Sequence, residues 1–327
     1  MLVVLGHCIQ FSLGEDWASS GEFFNNAVFK TIYTFHMPLF MMISGYLFYN
    51  SNKKNFKTLI VLKLKAIGIP MLSFVLLYCS YHCLTLLRHG HILEMCKFCL
   101  ATIFLSTPMW YLLSLLLNIA IFAILTRLVR NTTFQYAGMI SLFIISLFIP
   151  DSIVLGVHKF MFPFFCVGYI IKQHDVNIYA CSYNKQRLSI LTILSVLAIM
   201  WFDKNTYIYV SGFCINGDIN QLLIDIKRMV IAFIVSYTFM QYARMLVTYD
   251  NRIIKHILKF GQISLFIYGF NVVFNALYTK ALSFMSLNFE FNYVIPIIIS
   301  SCFLFISLLL YEYLEKNKFT RMAFLGK

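Results

Sequence analysis

An all-α, polytopic transmembrane helical bundle is the fold class this chain predicts, on three observations. Of its 327 residues, 60% are hydrophobic and only 12% charged, where soluble domains carry roughly 45–50% apolar and about 25% charged residues. The mean hydropathy is +0.78. The apolar residues gather in runs suited to a bilayer crossing, which takes about 20 residues at ~1.5 Å each. These facts exclude an ordinary soluble enzyme, a disordered chain and a secreted disulfide scaffold.

Ten spans are expected, near 1–13, 28–49, 66–87, 109–127, 134–150, 155–172, 187–202, 226–247, 260–281 and 292–313. The first begins at Met1 and stops by Gly14, only about a dozen residues where a crossing needs about 20. No basic stretch precedes it and no small-residue cleavage site follows, so it reads as a first helix lacking its beginning rather than a signal peptide. The second is a long apolar run that carries His36 and Pro38. The third follows a Lys-rich loop, and the fourth opens on Pro108-Met109-Trp110-Tyr111. The fifth and seventh are close to the minimum length. The sixth starts beside His158-Lys159, and three further runs complete the set. Neither an internal repeat nor a low-complexity segment interrupts them. Residues 1–327 therefore read as one integral membrane domain whose chemistry lies in the bundle or at its rims.

Charge placement orients the bundle. The formal net charge is +13, a balance that in a soluble protein would suggest nucleic acid. Here it is a topology signal, and no nucleic-acid partner is expected. Lys53, Lys54, Lys57, Lys63 and Lys65 precede the third span, and Arg127 and Arg130 follow the fourth. Lys172, Lys185 and Arg187 follow the sixth. Arg244, Arg252, Lys255 and Lys259 follow the eighth, and Lys316, Lys318, Arg321 and Lys327 the tenth. The opposite loops hold only Arg88, Lys97, Lys204 and Lys280. The positive-inside rule then puts both termini in the cytoplasm. Lys30, Lys159, Lys227 and Arg228 sit at the outer ends of their helices. No Asp or Glu lies deep in a span, which counts against an ion-coupled transporter.

The nine cysteines lie mostly inside apolar runs and read as small packing residues. Cys96-Lys97-Phe98-Cys99 has a CxxC spacing, but no second pair or flanking His ligands follow, so no metal is expected. Two histidines stand out by depth. His7 and His36 fall about 9 and 12 Å below the outer boundary at ~1.5 Å per residue, and polar side chains at such depth tend to be functional. At matching depth in neighbouring spans they could face a common cavity, or each could be a hydrogen-bonded bundle histidine. His82, His89, His91, His174 and His256 lie near span ends or in loops. Pro38 kinks its helix beside His36, and Ser44-Gly45 offers a small surface for close helix contact.

His36-Met37-Pro38-Leu39-Phe40 followed by Ser44-Gly45-Tyr46 resembles the second-helix signature of the acyltransferase-3 family, the membrane O-acyltransferases that modify bacterial glycans. Val3-Val4-Leu5-Gly6-His7 resembles the end of its first helix. Lys65 through Pro70 resembles the opening of its third, and Pro108-Met109-Trp110-Tyr111-Leu112 the start of its fourth. Pro163-Phe164-Phe165 with Gly168-Tyr169 resembles its sixth, and Gly261 with Ser264, Ile267 and Tyr268 its ninth. Three departures accompany the match. The basic residue and Asp that the family carries upstream of the first-helix His would precede Met1. Asn271 stands where many relatives have His. Lys63 and Lys65 stand where arginine is common, which loses the bidentate fork of a guanidinium.

The resemblance implies acyl transfer, usually of acetyl, from cytoplasmic acyl-CoA to a hydroxyl of a cell-surface or lipid-linked glycan, in a bacterial cytoplasmic membrane. It implies His7 as general base with His36 as second candidate or orienting partner, or a covalent acyl-histidine relay. Lys63 and Lys65 become contacts for CoA phosphates, or ordinary positive-inside charges. Trp110 and Tyr111 become a platform for a sugar ring, or part of an interfacial aromatic belt. Tyr268 and Asn271 would line the cavity. A glycan flippase or exporter, and a non-catalytic partner of polysaccharide assembly proteins, share the same architecture and stay open.

Overall fold

The computed structural model describes residues 1–16, 21–88, 92–105, 107–150, 153–174, 185–215, 218–247, 251–287 and 293–327, and among them there is no strand. In chain order the main helices are α1 (Leu2–Gln10), α2 (Ala27–Asn52), α3 (Phe56–Lys63), α4 (Ile69–Arg88), α5 (Ile92–Leu105), α6 (Trp110–Leu128) and α7 (Thr132–Leu147). They continue as α8 (Ile153–Gln173), α9 (Lys185–Trp201), α10 (Ile219–Val247), α11 (Arg252–Gln262), α12 (Ser264–Met285) and α13 (Val294–Leu314). Helices stand over all ten apolar runs. Among the described residues five stretches are long and apolar enough to cross a membrane: Phe56–Ser80, Trp110–Leu128, Leu155–Gln173, Ser264–Met285 and Val294–Leu314. The protein is a helical membrane protein. His89, His91, Cys181 and the side chain of His82 lie outside the described residues.

Three segments read as loops are helical. The Lys-rich stretch is largely α3, which runs into α4 through a π-turn at Leu64–Gly68, where the Ile69 N–H bonds the Leu64 carbonyl. Pro70 follows and has no N–H to give, so the register can slip by one residue there without a further lost bond. α5 forms despite Glu94 and Lys97 because it pairs with α4, with the Cys83 and Cys99 sulfurs 3.1 Å apart. α11 is amphipathic: Arg252, Lys255 and Lys259 alternate with Ile257 and Leu258, which are 47% and 49% exposed.

The chain packs as two compact units. One comprises Met1–Phe29, Val61–Leu113 and Asn251–Lys327; the other comprises Lys30–Ile60 and Ser114–Asp250. In the first, α1 packs on α12 and α13, and α4 on α12 and the C-terminal turn. Gly269 of α12 sits against the Phe74 ring, and Gly326, at φ +67°, lies on the backbone of Ala66. Lys259 ties α11 to α13 through Glu312 at 2.8 Å.

The second unit is built around helices whose backbones touch. A Cβ at Gly45 of α2 would land on the Phe165 carbonyl, and one at Gly168 of α8 on the Met42 carbonyl. Membrane helices associate through such small-residue contacts because no hydrophobic force drives them together in lipid. Side-chain bonds add to this: Ser195 to Thr238 and Thr192 to Tyr242, both 2.7 Å, join α9 to α10. At about 0.6 kcal/mol per interhelical bond, they contribute less than the backbone fit.

The far end of this unit is held by its cations. Arg228 is 2% exposed. It donates to the carbonyls of Thr206 (2.7 Å), Gly212 (2.6 Å) and Asn205 (3.4 Å), to Ser211 Oγ, and to Asp225 at 3.1 Å. Gly212, at φ +72°, presents its carbonyl from a backbone conformation that favours glycine. Lys159 donates to the carbonyls of Ile149 at 2.6 Å and Phe213 at 3.3 Å. Lys227 pairs with Asp203, which also accepts from the Thr206 N–H. Burial works to raise the Asp203 carboxyl, but the Lys227 and Thr206 hydrogen bonds outweigh it and hold the group below its ordinary range.

Two predictions follow from this packing. Gly45→Ala and Gly168→Ala each destabilise the protein by about 1–3 kcal/mol, whereas Gly261→Ala, with nothing within 4 Å of its Cβ position, stabilises its helix by roughly 0.5–1 kcal/mol; thermal unfolding in detergent reads both signs. A depressed carboxyl stabilises above its unfolded pKa and loses that contribution as pH falls through the folded one. Amide protection over 203–213, with the intrinsic exchange rate divided out, therefore falls as pH drops below about 4, and Asp203→Asn flattens that acid dependence while lowering protection at neutral pH.

Candidate functional site

Seven of the eight residues singled out from the sequence fall in the first unit: His7, Lys63, Lys65, Trp110, Tyr111, Tyr268 and Asn271. α12 is their common support. Tyr268 meets Tyr111 edge to face at 5.8 Å, and Trp110 meets Tyr111 at 6.0 Å in the same manner. Tyr111 is buried and Trp110 half-buried, so the sequence pattern Pro-Met-Trp-Tyr delivers one ring into the unit and leaves the other nearer its surface. Asn271 is 2% exposed. One residue after Tyr268, Gly269 lets Phe74 of α4 close on α12. That contact connects α12 to the helix that opens on the π-turn.

His7 stands on α1, its ring stacked parallel on Phe11 at 5.6 Å and hydrogen-bonded by Gln10. Positions i, i+3 and i+4 share a helix face, so α1 supplies both the stacking surface and the bond that orient the imidazole. Gln10 carries no family signature; its i+3 spacing from His7 was the available signal. α1 itself packs on α12 and α13.

Lys65 is exposed within the π-turn and Lys63 half-buried just before it. π-turns occur often at functional sites because they displace side chains from the regular helical face. The C-terminal segment, read from sequence only as a basic tail, folds back on this turn through Gly326 and Ala66, and Phe324 meets Phe74 at 5.3 Å. Lys327 donates to Tyr311 and to Glu315 at 3.2 Å. The Tyr311 bond, opposed by burial and helped by Glu315, raises the Lys327 ammonium above its ordinary value.

The remaining candidate, His36, belongs to the second unit and is 5% exposed. Its Nδ1 lies 2.7 Å from the Ile32 carbonyl. A carbonyl only accepts, so Nδ1 carries the proton, and Nε2 is the acceptor nitrogen when the ring is neutral. Tyr33 packs edge-on against it at 4.8 Å. Pro38 stays inside a continuous α2, removing the N–H that would bond the Thr34 carbonyl. His158, on α8, buries both ring nitrogens without a hydrogen-bond partner. Among the described residues no three His, Cys, Asp or Glu side chains gather as a metal site.

This arrangement of a helix-borne imidazole, an aromatic pair and a lysine-bearing π-turn follows the order of the motifs along the chain. The acyltransferase-3 family model, described as an acyltransferase domain, matches residues 1–312. The chain belongs to the acyltransferase-3 family. Among curated proteins, nodulation protein NolL of Mesorhizobium japonicum is 26% identical over 222 residues, covering 64% of this chain and 55% of that protein. NolL of Sinorhizobium fredii is 26% identical over 216 residues, covering 64% and 56%. The match thus spans about half the length of these relatives. No solved structure matches.

The tautomer gives a direct check at His36. His36→Leu removes the bond to Ile32 and costs about 0.5–1.5 kcal/mol, while His36→Asn, whose amide nitrogen reaches the place of Nδ1, recovers most of it in thermal unfolding.

Proposed function

We propose that the chain is a membrane O-acyltransferase that moves an acyl group, acetyl by preference, from acyl-CoA at the cytoplasmic face to a hydroxyl of a cell-surface or lipid-linked glycan. The reading includes ten spans, both termini in the cytoplasm and a bacterial cytoplasmic membrane, on the strength of the Lys/Arg distribution. The observation that carries it is the gathering of His7, the Tyr111–Tyr268 pair, Asn271 and the Lys63–Lys65 segment in one compact unit of an acyltransferase-3 chain.

His7 is the base. It takes the proton from the attacking hydroxyl as the oxygen bonds to the thioester carbonyl carbon. The carbon–sulfur bond then breaks, and the departing CoA thiolate recovers the proton from the imidazolium. Imidazole suits this work because its basicity lies near neutrality. Gln10 and Phe11 fix the ring so that little reorganisation remains at the moment of attack. Lys63 and Lys65 meet the CoA phosphates as point charges. Tyr111 and Tyr268 offer ring faces and hydroxyls to a sugar. His36, with Nδ1 held by Ile32, presents Nε2 as second base or as the nitrogen of an acyl-histidine relay.

Export of a glycan is the competing reading, in which the outer cations would line the path. Arg228, Lys159 and Lys227 are committed to loop carbonyls, Asp225 and Asp203, which supports acyl transfer over a cation-lined path. Assembly without catalysis gives no role to the oriented imidazole.

Purified native protein and a folded His7→Ala variant, assayed for thiol release from acetyl-CoA in the presence of glycan acceptors, test the reading. The variant should lose about 10²–10⁴-fold in rate. Full activity in it removes His7 from the mechanism, and native protein that releases no thiol with any acceptor returns the chain to export.

A further inference from the structure

α12 carries Asn271, Asn275 and Tyr278 at i, i+4 and i+7, one above another on a single helix face. Asn271 is 2% and Tyr278 7% exposed. Each holds a buried polar atom with no hydrogen-bond partner: Oδ1 of Asn271, Oδ1 of Asn275 and the hydroxyl of Tyr278. Buried polar atoms are nearly always satisfied, and in lipid no bulk water compensates for one that is not. Three on two turns of one face therefore mark a place where something else supplies the bonds.

The row runs beside α1. α1 packs on α12, and Gly14, four residues past its end, lies against Ser283 and the Thr279 carbonyl. His7 stands on this same helix, α1.

The atoms specify the ligand. Two amide oxygens accept only, and a phenol accepts and donates. A phosphate offers nothing to the two amide oxygens, and an acyl chain has no donors at all. A molecule carrying several hydroxyls spaced about one helical turn apart, ~5–6 Å, does.

We propose that Asn271, Asn275 and Tyr278 form the acceptor subsite, binding sugar hydroxyls so that one of them faces His7. The proposal rests on the acyltransferase reading above for the role of His7, and on the row's own chemistry for the ligand. It adds Asn275 and Tyr278 as positioning residues that no motif marks.

The test uses the purified full chain in detergent with Asn275→Leu, Tyr278→Phe and, as control, the exposed Leu277→Ala. Probes are the methyl glycosides of glucose, galactose and N-acetylglucosamine, and acetyl-CoA. Each row variant should weaken glycoside binding and raise the acceptor KM about tenfold, the worth of one hydrogen bond. The dissociation constant and KM for acetyl-CoA should stay put, and the ligand-free Tm should hold or rise, because an orphan polar atom has been removed. A fall in Tm would make the row structural. Weakened acetyl-CoA binding would assign it to the donor, whose pantetheine amides also donate. Glycoside binding unchanged by the variants, or absent in the native chain, overturns the proposal as well. Glycoside binding that depends on the row in a chain unable to turn over acetyl-CoA would instead leave the subsite standing and remove the acyltransferase reading.

Discussion

Hydrocarbon offers no hydrogen bonds, and most of this structure is an answer to that constraint. Each unsatisfied backbone or side-chain group in lipid costs several kcal/mol, so polar atoms must find partners within the protein. Arg228 shows the rule at full strength, with its guanidinium directed to three carbonyls, a hydroxyl and a carboxylate. Lys159 does the same with two carbonyls. Arg127 caps its own helix through the Ala123 carbonyl and reaches Asn52 and Lys54. What is left unsatisfied after such thorough pairing gains meaning, and the polar row of α12 stands out for that reason.

The same constraint explains where the backbone departs from regularity. The π-turn precedes a proline, where the missing N–H makes a shift of register inexpensive. Pro38 sits one turn beyond Thr34 in the helix that carries His36. Elsewhere the backbones approach until only glycine fits, at Gly45 and Gly168, and Gly269 makes room for the Phe74 ring. Irregular backbone and close packing occur on the helices that carry the candidate groups, which gives those groups a rigid support.

Much of this was legible in the sequence. Composition gave the class, and the apolar runs gave ten helices to within a few residues. Ser44-Gly45 was readable as a close contact because small residues have few other uses at that depth. The rest was hidden for physical reasons. α5 and α11 hold too many charges to register as apolar runs, and only tertiary pairing or a two-faced pattern reveals them. Asn275 and Tyr278 vanish into the average hydropathy of a long helix, since a single residue every turn hardly changes it. His36 could be placed in depth, but its tautomer depends on the Ile32 carbonyl, a backbone atom that every sequence has. The return of the C-terminal segment onto Ala66 is a long-range contact with no local signal at all.

α11 deserves a reading as a gauge. A basic amphipathic helix with its apolar side uncovered lies in the headgroup plane, drawn there by buried apolar area and by anionic lipid. A single residue, Ile263, separates its end from the start of α12, and Lys259 pins it to α13. A helix so placed would reference the depth at which α12 carries Tyr268 and Asn271 to the surface of the leaflet rather than to the centre of the bilayer. A thicker or thinner membrane would then change the distance from these groups to the opposite surface while leaving their distance to this one nearly fixed. The lipid would then become part of the measure that sets the depth of these groups.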